Sequence, residues 1–133
     1  MIKAVCNLLM FDKPDKLGYQ FPKDCEITIP ENVPVESRGK TIGSACVNRT
    51  DSGLKCDITI SFSEKDFEKE EDLLEEMIDS SVYAGGIYRL NKLHRENETM
   101  LVDSMDLLSI GLYCSDIYGD ESLKVEVVND DTN

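Results

Sequence analysis

The sequence predicts a mainly β domain of the α+β class, with an antiparallel core and one main helix. Two observations support this class. Residues 41–62 form two alternating runs of apolar and polar residues joined by a turn, which is typical of a hairpin. Residues 63–80 instead carry apolar residues at helical spacing, with an acidic opposite face. No internal repeat or low-complexity block interrupts this order.

The hairpin is the clearest element of the chain. From Leu54 to Phe62, every second residue is apolar and the residues between are polar or charged, so one face of the strand is expected to be buried. Asp51-Ser52-Gly53 provides the turn, because glycine adopts backbone angles that other residues avoid.

The segments before the hairpin predict strands of unequal length. The apolar segment Ile2–Phe11 favours a strand, and the Pro- and Gly-containing segment after it is a loop ending at Gly18. Two short extended pieces follow, Ile27–Ile29 and Val33–Val35. Proline interrupts both, so they suit a rim or an irregular crossing of the sheet.

The segments after the hairpin predict the helix and a return to β structure. Ser63 can cap a helix over 63–80, whose first turns are rich in acids, as the helix dipole favours. A strand over Val82–Leu93 contains Gly85-Gly86, a pair that marks a bulge, a bend or a close approach by another backbone. After a turn at 95–98, Thr99–Tyr113 is a long strand bent near Ser104, and Ser122–Val128 is an edge strand.

Length and charge limit the possible functions. The 133 residues predict one domain over 1–128 with its own core, followed by a frayed polar tail at 129–133. The formal net charge of −13 repels phosphates, so direct nucleic-acid binding is not expected. It is compatible with a solvated exterior, with a basic partner surface, or with mimicry of nucleic acid.

The five cysteines indicate a reducing compartment. They include no CxxC pair, and no signal peptide or membrane span is predicted, so we expect a cytoplasmic protein with free thiols. Cys46 and Cys56 lie at similar distances from the turn and are expected to face each other, either in apolar contact or as a bridge. The reactivity of Cys25 and Cys114 stays open.

No catalytic, cofactor-binding or metal-binding residue is predicted from the pattern. The only histidine, His94, lies in a polar turn and is expected to be an exposed loop residue. Scattered cysteines and one histidine do not make a zinc site, and phosphate-binding glycine motifs are missing from the sequence.

Taken in order, several short motifs resemble the prohead (capsid maturation) proteases of tailed phages, a family that shares its β-barrel with the herpesvirus assemblins. The resemblance covers roughly residues 1–115. It implies an antiparallel β-barrel of about six to seven strands, and it rests on the segments Gly18–Lys23, Val33-Pro34-Val35, Ile42–Ala45 and Gly53-Leu54.

The chain departs from this family at both catalytic positions. The family has a histidine shortly after the "VPV" strand, where this chain reads Glu36–Lys40. By spacing, Ala84 stands where the family has its nucleophilic serine, although a literal "LSIG" occurs later and contains Ser109. The resemblance therefore implies a protease-like barrel without its catalytic serine and histidine.

Three functions follow as hypotheses. The first is a phage or prophage head-assembly accessory protein, a capsid decoration or scaffold-associated component, present in the host cytoplasm and in the virion. Its partners would be capsid or scaffold proteins, or further copies of itself. The second is an active serine maturation protease that uses Ser109 and His94. The third is an acidic host-directed inhibitor or DNA mimic.

Overall fold

A computed structural model describes residues 2–61, 69, 71–75, 82–113 and 123–129. Within these residues the protein is mainly β, and all strands belong to one curled sheet. The nine strands, in chain order, are β1 (Ile2–Met10), β2 (Tyr19–Gln20), β3 (Glu26–Thr28), β4 (Val33–Ser37), β5 (Lys40–Arg49), β6 (Gly53–Ile60), β7 (Tyr83–Glu96), β8 (Thr99–Tyr113) and β9 (Glu126–Asn129).

The mainly β class is confirmed, but the sheet is mixed and has nine strands among the described residues, so the predicted antiparallel barrel of about six to seven strands is not confirmed. The path of paired strands runs β2-β8-β4-β5-β6-β1-β9, and β3 and β7 also pair with β8. β2, β3 and β4 all run parallel to β8, whereas β7 runs antiparallel to it. β2 and β3 have only two and three residues and add to the predicted strand count.

The sheet curls but remains open along its strand path. β9 pairs with β1 at one end, and β7 pairs with β8 near the other. Backbone hydrogen bonds join the two regions: Ala84 N–H donates to the Leu123 carbonyl (3.1 Å), and Val125 N–H donates to the Val82 carbonyl (2.8 Å). The described residues therefore form a half-barrel whose two ends approach each other through a short segment before β9.

Several predicted strands are confirmed. β1 matches the predicted opening strand to within one residue, and β8 has the predicted bounds. β5 and β6 form the predicted hairpin, and Leu54, Cys56, Ile58 and Ile60 are buried, as the alternation requires. The predicted bend near Ser104 corresponds to register shifts in the β7–β8 ladder on both sides of the pair Lys92–Ser104.

Most of the core is a single cluster of buried side chains. Its largest fully buried side chains come from strands along the whole chain: Ile2, Leu8, Leu9, Val33, Val35, Leu54, Ile58, Ile60, Met105, Leu107 and Ile110. Because strands distant in sequence contribute to one cluster, its burial depends on the whole sheet being assembled.

Only part of the predicted helix is described. Residues 69 and 71–75 are helical, and the rest of the predicted range, 63–80, lies outside the described residues. Leu73 and Leu74 are half-buried and pack against the core, as an apolar stripe at this spacing predicts.

No helix among the described residues is long and apolar enough to cross a membrane. Of the predicted tail at 129–133, Asn129 ends β9, and the remainder lies outside the described part of the chain.

Two glycines allow backbones to approach closely where the hairpin packs. A Cβ placed on Gly43 would overlap the carbonyl oxygen of Thr59, and one on Gly53 would lie too close to the carbonyl of Leu9. Both obstructing atoms belong to paired strands and cannot rotate away as a side chain can. These are the glycines of the "IG" and "GL" motifs in the sequence.

We predict that Gly43→Ala lowers the free energy of unfolding by about 1–3 kcal/mol, because the methyl group forces β5 away from β6. Chemical denaturation followed by circular dichroism measures this loss. Gly85→Ala is the control, since its Cβ would meet only the ring of the half-exposed Tyr113, at 3.0 Å. Equal losses in the two variants would contradict the close approach at Gly43.

Candidate functional site

Ser109 lies on β8 among core residues and is only 7% exposed. Its hydroxyl donates a hydrogen bond to Oε2 of Glu36 on β4, at 3.4 Å. The parallel pairing of β4 with β8, which sets Glu36 beside Gly111, brings these side chains together. A carboxylate is a much weaker base than an imidazole, so Glu36 is poorly suited to activate this hydroxyl.

His94 lies within β7, not in the turn that the sequence predicts. The turn is shorter than expected, with Asn97 and Glu98 at its tip, so residues 94–96 continue the strand. Nδ1 of His94 is 2.6 Å from Oδ2 of Asp103, and Nε2 is 3.9 Å from Oε2 of Glu96. The imidazole is oriented by a carboxylate, as a catalytic base would be, and it is half-exposed.

Ser109 and His94 are not brought together. His94 pairs with Leu101 across the β7–β8 ladder, eight residues along β8 from Ser109. At about 3.3 Å per residue this separation is roughly 26 Å, far beyond hydrogen-bond distance. The two residues therefore do not form a nucleophile–base pair.

The region that would correspond to the family's nucleophile is buried and packed. Ala84 is 1% exposed and lies at the start of β7. The Gly85-Gly86 pair after it is extended in the ladder, and the space beside each glycine is filled by an aromatic ring, that of Tyr113 at Gly85 and that of Tyr88 at Gly86. The predicted close approach is thus made by side chains, and a bulge follows between Ile87 and Tyr88.

The stretch after the "VPV" strand forms the β4–β5 turn. Arg38 and Gly39 both have positive φ, 51° and 82°, which is the pattern of a type I′ hairpin turn. A pocket of about 270 Å³ opens between this turn and the helical segment, and its lining includes Arg38, Lys40, Lys69 and Asp72. It contains charges of both signs and no histidine.

The cysteines are arranged differently from the prediction. Cys46 is exposed and pairs with Asp57, so the prediction that it faces Cys56 is wrong. Cys56 instead lies opposite Cys6 on β1, and the two sulfur atoms are 2.9 Å apart. The prediction fails because the loop places Val47 opposite Cys56, a one-residue difference that turns Cys46 to the other face.

Cys25 is a poor nucleophile. Its side chain is 2% exposed, and burial raises its pKa to about 11. Cys114 lies outside the described residues. Among the residues that the structure describes, no group of three or more His, Cys, Asp or Glu side chains is placed to hold a metal ion.

Acidic side chains face the solvent on the helical segment. Glu71, Asp72 and Glu75 are exposed, while the two leucines between them pack inward. Glu71 and Glu75 are four residues apart, so they share one face of the helix. The segment therefore presents carboxylates outward from an apolar base.

An ion pair on the outer surface joins β7 to β8. Arg89 donates from Nε (3.0 Å) and from a terminal nitrogen (2.5 Å) to Oδ2 of Asp106, its direct register partner. Hydrogen bonds from Arg89, and then from Asn91 and Thr28, hold the pKa of Asp106 below its usual range. This ion pair stabilises the register of β7 on β8.

No protein-family model, curated protein or solved structure matches this chain.

We predict that Arg89→Gln raises the pKa of Asp106 toward its ordinary value, because the first of its stabilising partners is lost. A carboxyl-detected NMR titration measures this change. The depressed pKa gives stability that is present above the unfolded-state pKa and is lost as the pH falls through the folded-state value. The variant should therefore lose less stability than the wild type on acidification.

Arg95→Gln is the matched control, since it removes the same charge from β7 beside a different residue, Met100. It should leave the pKa of Asp106 unchanged. The same rise in both variants would mean that general electrostatics, not the Arg89 contact, lowers this pKa.

Proposed function

We propose that this chain is a protein-binding accessory component of phage head assembly, decorating the capsid or associating with the scaffold, and that it does not act as a protease. The order of its short motifs, similar to that of the prohead proteases, supports the assembly role. The separation of Ser109 from His94 and the buried Ala84 at the expected nucleophile position support binding over catalysis.

The observation that carries the proposal is the uneven distribution of charge. Residues 62–80 contain nine acids and two lysines, more than half of the net charge, whereas residues 2–61 contain eight acids and eight basic residues. The first half of the chain is thus neutral, and the excess acid lies in residues 62–80, with a net charge of −7, and in residues 81–133, with ten acids and four basic residues. Where the helical segment is described, Glu71 and Glu75 are exposed.

An acidic face of this kind suits a basic partner surface. Charge complementarity of exposed groups accelerates association and is screened by salt, with a screening length of about 8 Å at physiological ionic strength. Capsid and scaffold proteins are the partners that the family resemblance implies. Binding to them should weaken as salt rises, in contrast to an interface made of apolar contacts alone.

We further propose that the curled sheet closes into the barrel of this family. Support comes from the backbone hydrogen bonds that join residues 82–84 to 123–125, and from the bridge between Tyr83 and Lys124. These contacts lie between the start of β7 and the segment before β9. Pairing of these two regions would close the sheet into a barrel.

The same charge distribution favours a second candidate, a host-directed inhibitor that occupies the nucleic-acid site of a basic enzyme. The inhibitor hypothesis predicts that this chain competes with DNA for the enzyme. The head-assembly hypothesis predicts no such competition. An electrophoretic assay of a nuclease or polymerase, with and without the chain, separates the two. Inhibition relieved by added DNA, together with failure to bind heads, would replace the assembly role with this one.

The protease alternative predicts cleavage of a capsid or scaffold precursor. We expect the precursor to remain intact with the wild type and with Ser109→Ala, because no imidazole lies near this hydroxyl. Gel electrophoresis of the incubated precursor measures the outcome. Cleavage by the wild type that Ser109→Ala abolishes would contradict the proposal.

We predict that the double variant Glu71→Lys and Glu75→Lys weakens binding to purified phage heads roughly tenfold, because it reverses two exposed charges on one face. Co-sedimentation with heads at several salt concentrations measures the loss. The control is Glu31→Lys with Asp51→Lys, which changes the net charge equally at exposed turns elsewhere.

If the control weakens binding as much as the helical variant, net charge and not the helical face drives association. If the wild type stays unbound to heads at every salt concentration, the assembly role is removed.

A further inference from the structure

The most specific unassigned chemistry in the structure is the pair Cys6 and Cys56. Cys6 lies on β1 and Cys56 on β6, and each is the direct register partner of the other. The exposures are 5% and 0%, so both thiols lie inside the core. Their sulfur atoms are 2.9 Å apart, with no other side chain between them.

The strand register alone satisfies the main condition for a disulfide. Directly opposed residues of an antiparallel pair have Cα atoms about 4.5 or 5.5 Å apart, depending on the type of pair. Disulfides form across Cα separations of roughly 4.4–6.8 Å, a range that includes both values. The two side chains also share one face of the sheet, so their sulfur atoms meet across the strand pair.

We propose that Cys6 and Cys56 are a latent disulfide site, reduced in a reducing cytoplasm and bridged when the chain folds or opens in the presence of an oxidised thiol compound. The proposal rests on register and burial and does not depend on the assembly role.

The reaction is a thiol–disulfide exchange with a small disulfide such as oxidised glutathione. One cysteine thiolate attacks the glutathione disulfide, forming a mixed disulfide and releasing one glutathione thiolate. The second cysteine then attacks the protein sulfur of the mixed disulfide and releases the second glutathione. Two protein thiols are oxidised to one disulfide, and one glutathione disulfide is reduced to two thiols.

The native fold protects the pair from this exchange. The mutual hydrogen bond and burial raise the pKa of Cys6 far above its ordinary value, and the thiolate is the attacking species. The bridge should therefore form during folding, or when β1 separates from β6, and only slowly in the intact protein. Once formed, it closes a loop that spans β1 to β6 and resists separation of these strands.

The test is refolding of the reduced, unfolded chain in a glutathione redox buffer, followed by acid quenching and alkylation of free thiols in denaturant. Trypsin separates the two cysteines, which fall in peptides 4–16 and 56–65. We expect mass spectrometry without reduction to find these peptides joined. The bridged form should also melt about 10 °C above the reduced form.

Cys46→Ala is the control variant, because its exposed thiol faces away from the pair and its loss should leave the bridge intact. Cys56→Ala should abolish it. The peptide map of the wild type decides the question even if Cys56→Ala fails to fold.

Three results would overturn the proposal. One is that Cys6 and Cys56 are both alkylated, and so still reduced, at every ratio of oxidised to reduced glutathione that is oxidising enough to attach glutathione to the exposed Cys46. Another is a bridge from either residue to a different cysteine. The third is a bridged form that melts at or below the temperature of the reduced form.

Discussion

Hydrogen bonding along both edges of β8 is the constraint on which the rest of the structure depends. One edge pairs with β7 over nearly the whole length of the strand. The other edge pairs in succession with β2, β3 and β4, all parallel to it. Because buried backbone groups must find partners, the short strands β2 and β3 are held in place by β8 and could not be stable alone, whereas β4 also pairs with β5. Val102, Met105 and Ile110 are fully buried along it.

This arrangement also determines where chemistry is possible. β8 sets Glu36 beside Ser109, and the antiparallel return of β7 carries His94 to the far end of the ladder. Ser109 and His94 are therefore separated along the β7–β8 ladder instead of lying side by side. Exposed carboxylates lie instead on the helical segment, at Glu71, Asp72 and Glu75.

The sequence predicts those elements whose pattern of apolar and turn residues lies within the element itself. β1, the β5–β6 hairpin and β8 are long enough to show apolar runs or alternation, and the hairpin has its own turn residues. The parallel pairing of β2 and β3 could not be predicted, because two or three residues between prolines and loops carry no periodicity. Their strand character comes from β8, a partner more than 70 residues away.

The side-chain contacts of the candidate sites likewise depend on partners that are distant in the sequence or on the exact strand register. The contact of Cys6 with Cys56 needs the register of β1 on β6, which no pattern within either strand reveals. The pairing of His94 with Asp103 depends on a two-residue turn at Asn97 and Glu98. The predicted turn, at 95–98, was longer by two residues. Asn97, with its positive φ, was the available signal for that turn. Ser109 was found by its motif, but its partner Glu36 depends on the parallel ladder.

The most direct test of the central role of β8 is the pattern of cross-strand nuclear Overhauser effects along its two edges. We expect parallel-type contacts between the backbone protons of Val35 and Ile110 and of Ile27 and Met105, with antiparallel contacts between Gly85 and Gly111. Antiparallel contacts on both edges, or no contact between Ile27 and Met105, would contradict this role of β8.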